Sequence, residues 1–203
     1  MLFRVLDCIQ LAELNQSSQK EMISFLRGKA SKMKSWLTQM TFKNGNIPLF
    51  NDSSNGVNPD SKTILEYCKK LGVNEVLLPL SDSGYRKFSN ENYELICDVG
   101  QVGPSYQPGH AHADTFNFEL YVKNQPIIVD SGTSTYNIGE KRSLDRSTKA
   151  HNTVTVNDAN SSQIWSGFRV AKRANITKLK ENKNQLSAIH NGYYDQGVLH
   201  QRT

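Results

Sequence analysis

The sequence predicts a mainly β fold, an antiparallel β-sandwich or sheet entered through a short helical segment. Two observations carry this. After about Gly84 the apolar residues stop recurring at helical spacing and begin to alternate. Beyond that point several short strand-like runs follow one another, separated by turn residues and with no helical pattern between them, which is the order expected of antiparallel sheets.

The first third reads helical. Ser18 with Glu21 three residues on has the form of a capping box, and it opens a stripe of Met22, Leu26, Met33, Leu37 and Met40, with Trp36 beside it. The run KNGNIPLFNDSSNGVNP, residues 43–59, is dense in Asn, Gly, Ser and Pro and predicts a loop. A short helix is expected over 61–71 with Asp60 as its N-cap. In the second part Tyr93, Leu95, Cys97 and Val99 alternate with Glu94, Ile96 and Asp98, and Phe116, Phe118, Leu120 and Val122 alternate with Asn117, Glu119 and Tyr121. A hairpin turn at Asn124-Gln125 leads into a strand over 126–129. Val154 and Val156 predict another strand, with a turn at 157–160, and further strands are expected over 168–179 and 186–190. The boundary between the two parts falls near residues 80–90.

Composition narrows the function classes. The formal charge of +5 suits either an anionic partner or an ordinary solvated surface, but the basic residues are scattered, with no Lys/Arg run or basic–aromatic stripe of the nucleic-acid-binding kind. No apolar run approaches the roughly 18 residues needed to span a bilayer. The opening MLFRVLDCIQLAELNQ lacks a basic start and a small-residue cleavage site, so it is not read as a signal peptide. Cys8, Cys68 and Cys97 are far apart and odd in number, fitting neither a disulfide framework nor a paired-cysteine zinc site. A helical segment this short is a poor self-sufficient layer, and the chain stops just after a strand-like run, so a piece of a larger protein is expected.

Three polar clusters sit in the β part: PGHAHAD at 108–114, DSGT at 130–133 and AHNT at 150–153. An extended backbone points His110 and His112 to one side, and small neighbours leave room for the imidazoles. His112, Asp130 and His151 offer two nitrogens and a carboxylate, a ligand set suited to Zn²⁺ with a position left over.

The run GPSYQPGHAHADTFNFELYVKNQPIIVDSGTSTYNIGEKRSLDRSTKAHNTVTVND, residues 103–158, closely resembles the heparinase II/III-like family of polysaccharide lyases, as do GNIPLFNDS at 45–53 and FRVAKRA at 168–174. The resemblance covers the chain from about residue 36 onward. It implies an antiparallel β-sandwich, here residues 86–203, preceded by the last helices of an α/α toroid, here residues 1–85. It further implies β-elimination on uronate-containing acidic polysaccharide, in which the carboxylate is neutralised, the C5 proton removed and the C4 oxygen protonated. By the same resemblance His110 matches a catalytic histidine, while His112, Asp130 and His151 match the ligands of a structural divalent metal, Zn²⁺ for preference. Tyr136 and Arg146, between the last two clusters, are assigned to the substrate. A periplasmic setting is also implied. The family's catalytic tyrosine and a carboxylate-neutralising residue come from the toroid, and none of Tyr67, Tyr85 or Tyr93 matches that tyrosine, so the isolated chain is expected to be inactive. Two other readings stand beside this one: a non-catalytic, metal-stabilised carbohydrate-binding sandwich, and a metal-dependent hydrolase, which the absence of alternating helices disfavours.

Overall fold

A computed structural model describes residues 1–15, 18–80 and 83–203. The chain divides into two compact units, one of residues 1–47 and 56–80, the other of residues 48–55 and 81–203. Segment 48–55 therefore belongs with the β part, although it lies within the first 85 residues. Ser81 and Asp82, inside the expected boundary, lie outside the described residues.

The first unit holds α1 (Leu2–Leu14), α2 (Lys20–Met40) and α3 (Ser61–Lys70). Leu2, Leu6, Ile9, Ala30, Cys68 and Val73 form its buried core, with Leu26, Met33 and Leu37 of the predicted stripe packed against it. Met22 and Trp36, at the margin of that stripe, remain exposed. The Ser18–Glu21 capping box does not form: α2 starts after Gln19, with no side-chain cap bond. Asp60 does cap α3, its carboxylate accepting the Thr63 amide at 2.7 Å. No helix among the described residues is long and apolar enough to cross a membrane.

The second unit is built from antiparallel sheets. β1 (Tyr85–Ser89), β2 (Tyr93–Asp98), β3 (Phe118–Val122) and β4 (Gln125–Ile128) pair in that order. β5 (Ile164–Trp165) and β6 (Arg169–Val170) form a ribbon, and β7 (Ile176–Glu181), β8 (Leu186–His190) and β9 (His200–Arg202) a three-stranded sheet. Val99 and Phe116 from the first sheet's side meet Ala188, Ile176 and Leu186 of the third, which gives the sandwich its core. The β3–β4 turn sits one residue earlier than predicted: Val122 pairs with Gln125, and Lys123 and Asn124 both take positive φ (49° and 64°), the conformation of a two-residue type I′ hairpin. Val154 and Val156 make no strand, only an isolated bridge between Val156 and Ala159 across a tight turn. The predicted strand over 168–179 breaks into β6 and β7.

Alternation predicted the strands but not their more buried face. Glu119 and Tyr121 are buried, whereas Phe118, Leu120 and Val122 are only half-buried. The cause is a polar brace, since Glu119 Oε1 accepts the amides of Leu49 (2.7 Å) and Asp130 (3.1 Å) and so ties the 48–55 loop and the end of β4 to the sheet. Burial pushes the Glu119 carboxyl up to about 7, against the pull of those two amides.

A second polar feature makes stability pH-dependent. His190 Nε2 and His200 Nδ1 are 2.9 Å apart against the Phe116 ring. Burial, then the charges of His200 and Arg202, push His190 down to about 4. A histidine whose folded pKa is depressed stabilises fully above its unfolded value near 6.5. That contribution fades as pH falls from 6.5 towards 4, because the unfolded chain takes up the proton first. Urea unfolding should therefore lose on the order of 2–3 kcal/mol across this window. His190→Asn should flatten the slope, and an unchanged slope in that variant would sink the assignment.

Candidate functional site

The site grows from Asp52, in the loop between α2 and α3. Its carboxylate is almost fully buried and receives three cations or donors: His110 Nδ1 at 2.8 Å, His112 Nε2 at 2.9 Å, and the Arg142 guanidinium, whose Nη2 donates at 3.0 Å and whose Nη1 also donates. Burial alone would raise the Asp52 carboxyl, but the hydrogen bonds from His112, Arg142 and His110 hold it well below the usual carboxylate range. It is therefore an acceptor only, and both imidazoles present an N–H to it. The two histidines predicted to share a side do so, meeting on one carboxylate.

Arg142 lies in α4 (Glu140–Asp145) and is fully buried. Besides Asp52 it donates to Thr133 Oγ1 (2.6 Å) and to the Gly167 carbonyl (3.0 Å). Its guanidinium sits 5.1 Å from the Tyr136 ring and 5.2 Å from Phe168, both of which remain substantially exposed. The His110 ring lies 6.2 Å from Tyr136 and 5.7 Å from Phe168. His110, with 69% of its side chain exposed, thus stands at an aromatic surface while Asp52 fixes one of its nitrogens. Burial and the Asp52 charge raise the Tyr136 phenol, so it is a neutral hydrogen-bond donor.

Arg146 is not at that surface. It is fully buried, and its guanidinium donates to the carbonyls of Ala111 (2.9 Å) and Ser166 (3.3 Å), supporting the His110–His112 loop from behind.

His112, Asp130 and His151 come together deeper in the unit. His151 Nδ1 lies 2.8 Å from Asp130 Oδ2, and the His112 and His151 rings are 5.2 Å apart. Asp130 also accepts from the Gly132 amide (2.8 Å) and from Asn117 Nδ2. Gly132 holds φ at +62°, and a Cβ there would come within 2.4 Å of the Ser53 carbonyl, so this turn needs glycine to seat the Asp52 loop. Although burial opposes the charged ring, the Asp130 hydrogen bond and the Asp114 charge raise His151. Two imidazole nitrogens, His112 Nδ1 and His151 Nε2, are buried with no partner among the described residues. Asp52 engages His112 Nε2, so Nδ1 is the ring nitrogen left to meet a metal. In kind, these donors fit a divalent ion such as Zn²⁺. As placed, no group of three or more His, Cys, Asp or Glu among the described residues is arranged to hold one, and direct ligation by Asp130 would require it to exchange its His151 hydrogen bond for the metal.

Sequence reasoning missed Asp52 and Arg142. The segment containing Asp52 was marked by its family-like GNIPLFNDS motif, but nothing local announces a partner 58, 60 or 90 residues away.

Comparison with known proteins agrees with this architecture. No curated protein sequence matches the chain. Among solved structures, a mutant heparan sulfate lyase HepC from Pedobacter heparinus superposes with a TM-score of 0.65 at 19% identity, covering 99% of this chain and 34% of its own. A heparinase III with methylated lysines matches with a TM-score of 0.58 at 17% identity, over 99% of this chain and 33% of its own. Another heparinase III gives 0.57 at 18% identity, over 93% and 35%. The chain therefore spans about a third of the length of these structures, and the likeness is one of fold. The model of the heparinase II/III-like C-terminal domain matches residues 74–203, well over half of the sequence, and on that match the chain belongs to the heparinase II/III-like family.

Proposed function

We propose that this chain supplies the sandwich side of the active site of a polysaccharide lyase that cleaves uronate-containing acidic polysaccharide by β-elimination. One observation carries the reading: an exposed imidazole, His110, is held through Nδ1 by a buried carboxylate beside the exposed rings of Tyr136 and Phe168. With Nδ1–H engaged by Asp52, the other ring nitrogen faces outward. Neutral, it accepts a proton; protonated, it donates one or counters the uronate carboxylate. The aromatic rings offer apolar faces for a sugar, and the Tyr136 hydroxyl offers a donor. Arg146 contributes by shaping the His110 loop. The solved neighbours named heparan sulfate lyase and heparinase support a sulfated or uronate-rich substrate, and a periplasmic setting accords with the family.

His112, Asp130 and His151 would hold a divalent metal, most suitably Zn²⁺, whose role is to tie the loops of the site together. The two unpartnered imidazole nitrogens support this. Stripping the metal with a chelator should lower the melting temperature of the chain, and His112→Ala or His151→Ala should reproduce the loss, because such ligands couple metal binding to folding. A melting curve indifferent to chelator would count against the structural metal. The reaction itself is tested by incubating the full-length parent with a panel of acidic polysaccharides and following the absorbance of the unsaturated uronate product. No product from any uronate-containing polymer would refute the reading.

A further inference from the structure

A cavity of about 680 Å³ opens where β2 ends, walled by the turn after Asp98 and by the His110–Thr115 loop. Among the described residues two carboxylates, Asp98 and Asp114, line it together with the oxygen-bearing side chains of Asn51, Tyr85 and Thr115. Among the described residues no Lys or Arg lines it, in a chain that carries 24 of them. His110 is the one basic side chain in its wall among the described residues, and Asp52 already holds that imidazole.

Two of these lining groups are buried with nothing to bond. Asp114 Oδ2, in a residue 4% exposed, and Thr115 Oγ1, in a residue 3% exposed, have no hydrogen-bond partner among the described residues. Buried polar atoms of this kind call for an explanation, and an ion is one of the few available. Asp98 is held in place, its Oδ1 accepting the Gly100 amide at 2.8 Å. A Cβ on Gly84 would fall 2.3 Å from Gly100 Cα, so the two glycines hold the start of β1 against the Asp98 turn. An oxygen-rich lining with carboxylates suits a hard cation with many ligands, Ca²⁺ before Zn²⁺.

We propose that this cavity is a binding site for a divalent cation of the calcium class, with the Asp98 and Asp114 carboxylates and the Thr115 hydroxyl among its ligands. Burial, and then the charge of Asp114, raise the Asp98 carboxyl, a cost that a bound cation relieves. His112, Asp130 and His151 do not line this cavity, and the proposal does not depend on the lyase reading.

The test strips the chain with chelator and titrates it with CaCl₂ in a calorimeter, with and without one equivalent of Zn²⁺. One Ca²⁺ per chain is expected, with a Kd on the order of 10⁻⁴ M. Binding should weaken at least tenfold in Asp98→Asn and in Asp114→Asn, and persist in Asp130→Asn. Terbium provides a second readout that does not require those variants to fold: Tb³⁺ should emit through transfer from Tyr85, Ca²⁺ should displace it, and Tyr85→Phe should dim the emission while keeping Ca²⁺ binding. Absence of both calcium heat and displaceable terbium emission overturns the proposal. So does calcium binding that survives Asp98→Asn and disappears in Asp130→Asn, which would assign the ion to the histidine cluster. A melting temperature that rises in Asp98→Asn without any response to Ca²⁺ overturns it too, because the two carboxyls would then be sharing a proton.

Discussion

Replacing Asp52 by alanine should cost the β unit about 3–5 kcal/mol of stability, the effect expected when one partner of a buried ion pair is removed and the other is left uncompensated. The Arg142 guanidinium has no exposure and would lose the carboxylate that faces two of its nitrogens, while His112 Nε2 would lose its acceptor as well. Asp52→Asn should recover little, because an amide keeps the shape but not the charge. Removing both partners should cost less than the sum of the single changes, since the double variant no longer strands a buried cation. The pH dependence follows from the sign of the Asp52 shift. A carboxylate depressed in the folded state stabilises fully above its unfolded value of about 3.9, and the contribution is lost as pH falls through the lower folded value. The pair is therefore intact at pH 5 and fails only in strong acid. A urea-measured loss below about 1 kcal/mol in Asp52→Ala would show that the cluster is not the keystone its geometry indicates.

In the full-length parent, His110→Ala should lower turnover by ~10²–10⁴-fold, the usual worth of a positioned acid–base group. Metal content and melting temperature should change little. The imidazole is 69% exposed, and its loss removes one hydrogen bond from a carboxylate that keeps Arg142 and His112. Turnover, metal stoichiometry and melting, measured on the same variant, separate three roles. Lost metal would make His110 a ligand. Retained turnover would make it a loop residue, and lost turnover with retained metal is the result predicted.

Some of this protein was legible in the order of its residues. Asp60 followed by a helical run placed the cap of α3, and alternation about Leu95 and Leu120 located the two central strands of the first sheet. Such signals are local, because a cap or a strand face is set by neighbours within a few residues. The failures were local signals overruled. Ser18 had the residue for a cap but α2 began later, and the Val154–Val156 alternation found no neighbouring strand to pair with.

The site divides along the same physical line. Residue type and spacing alone singled out His110, His112, Asp130 and His151, since imidazoles among small residues at strand ends already suggest chemistry. Which side chain each would meet was decided only by the tertiary structure. Asp52 reaches His110 and His112 across 58 and 60 residues and Arg142 across 90, and Arg146 turns inward to the carbonyls of Ala111 and Ser166. Asp98 and Asp114, sixteen positions apart, become lining residues of one cavity by the same route. Contacts at such separations carry no periodic trace in the sequence, because they form only when sheets and loops pack and bring distant charges into one low-dielectric space.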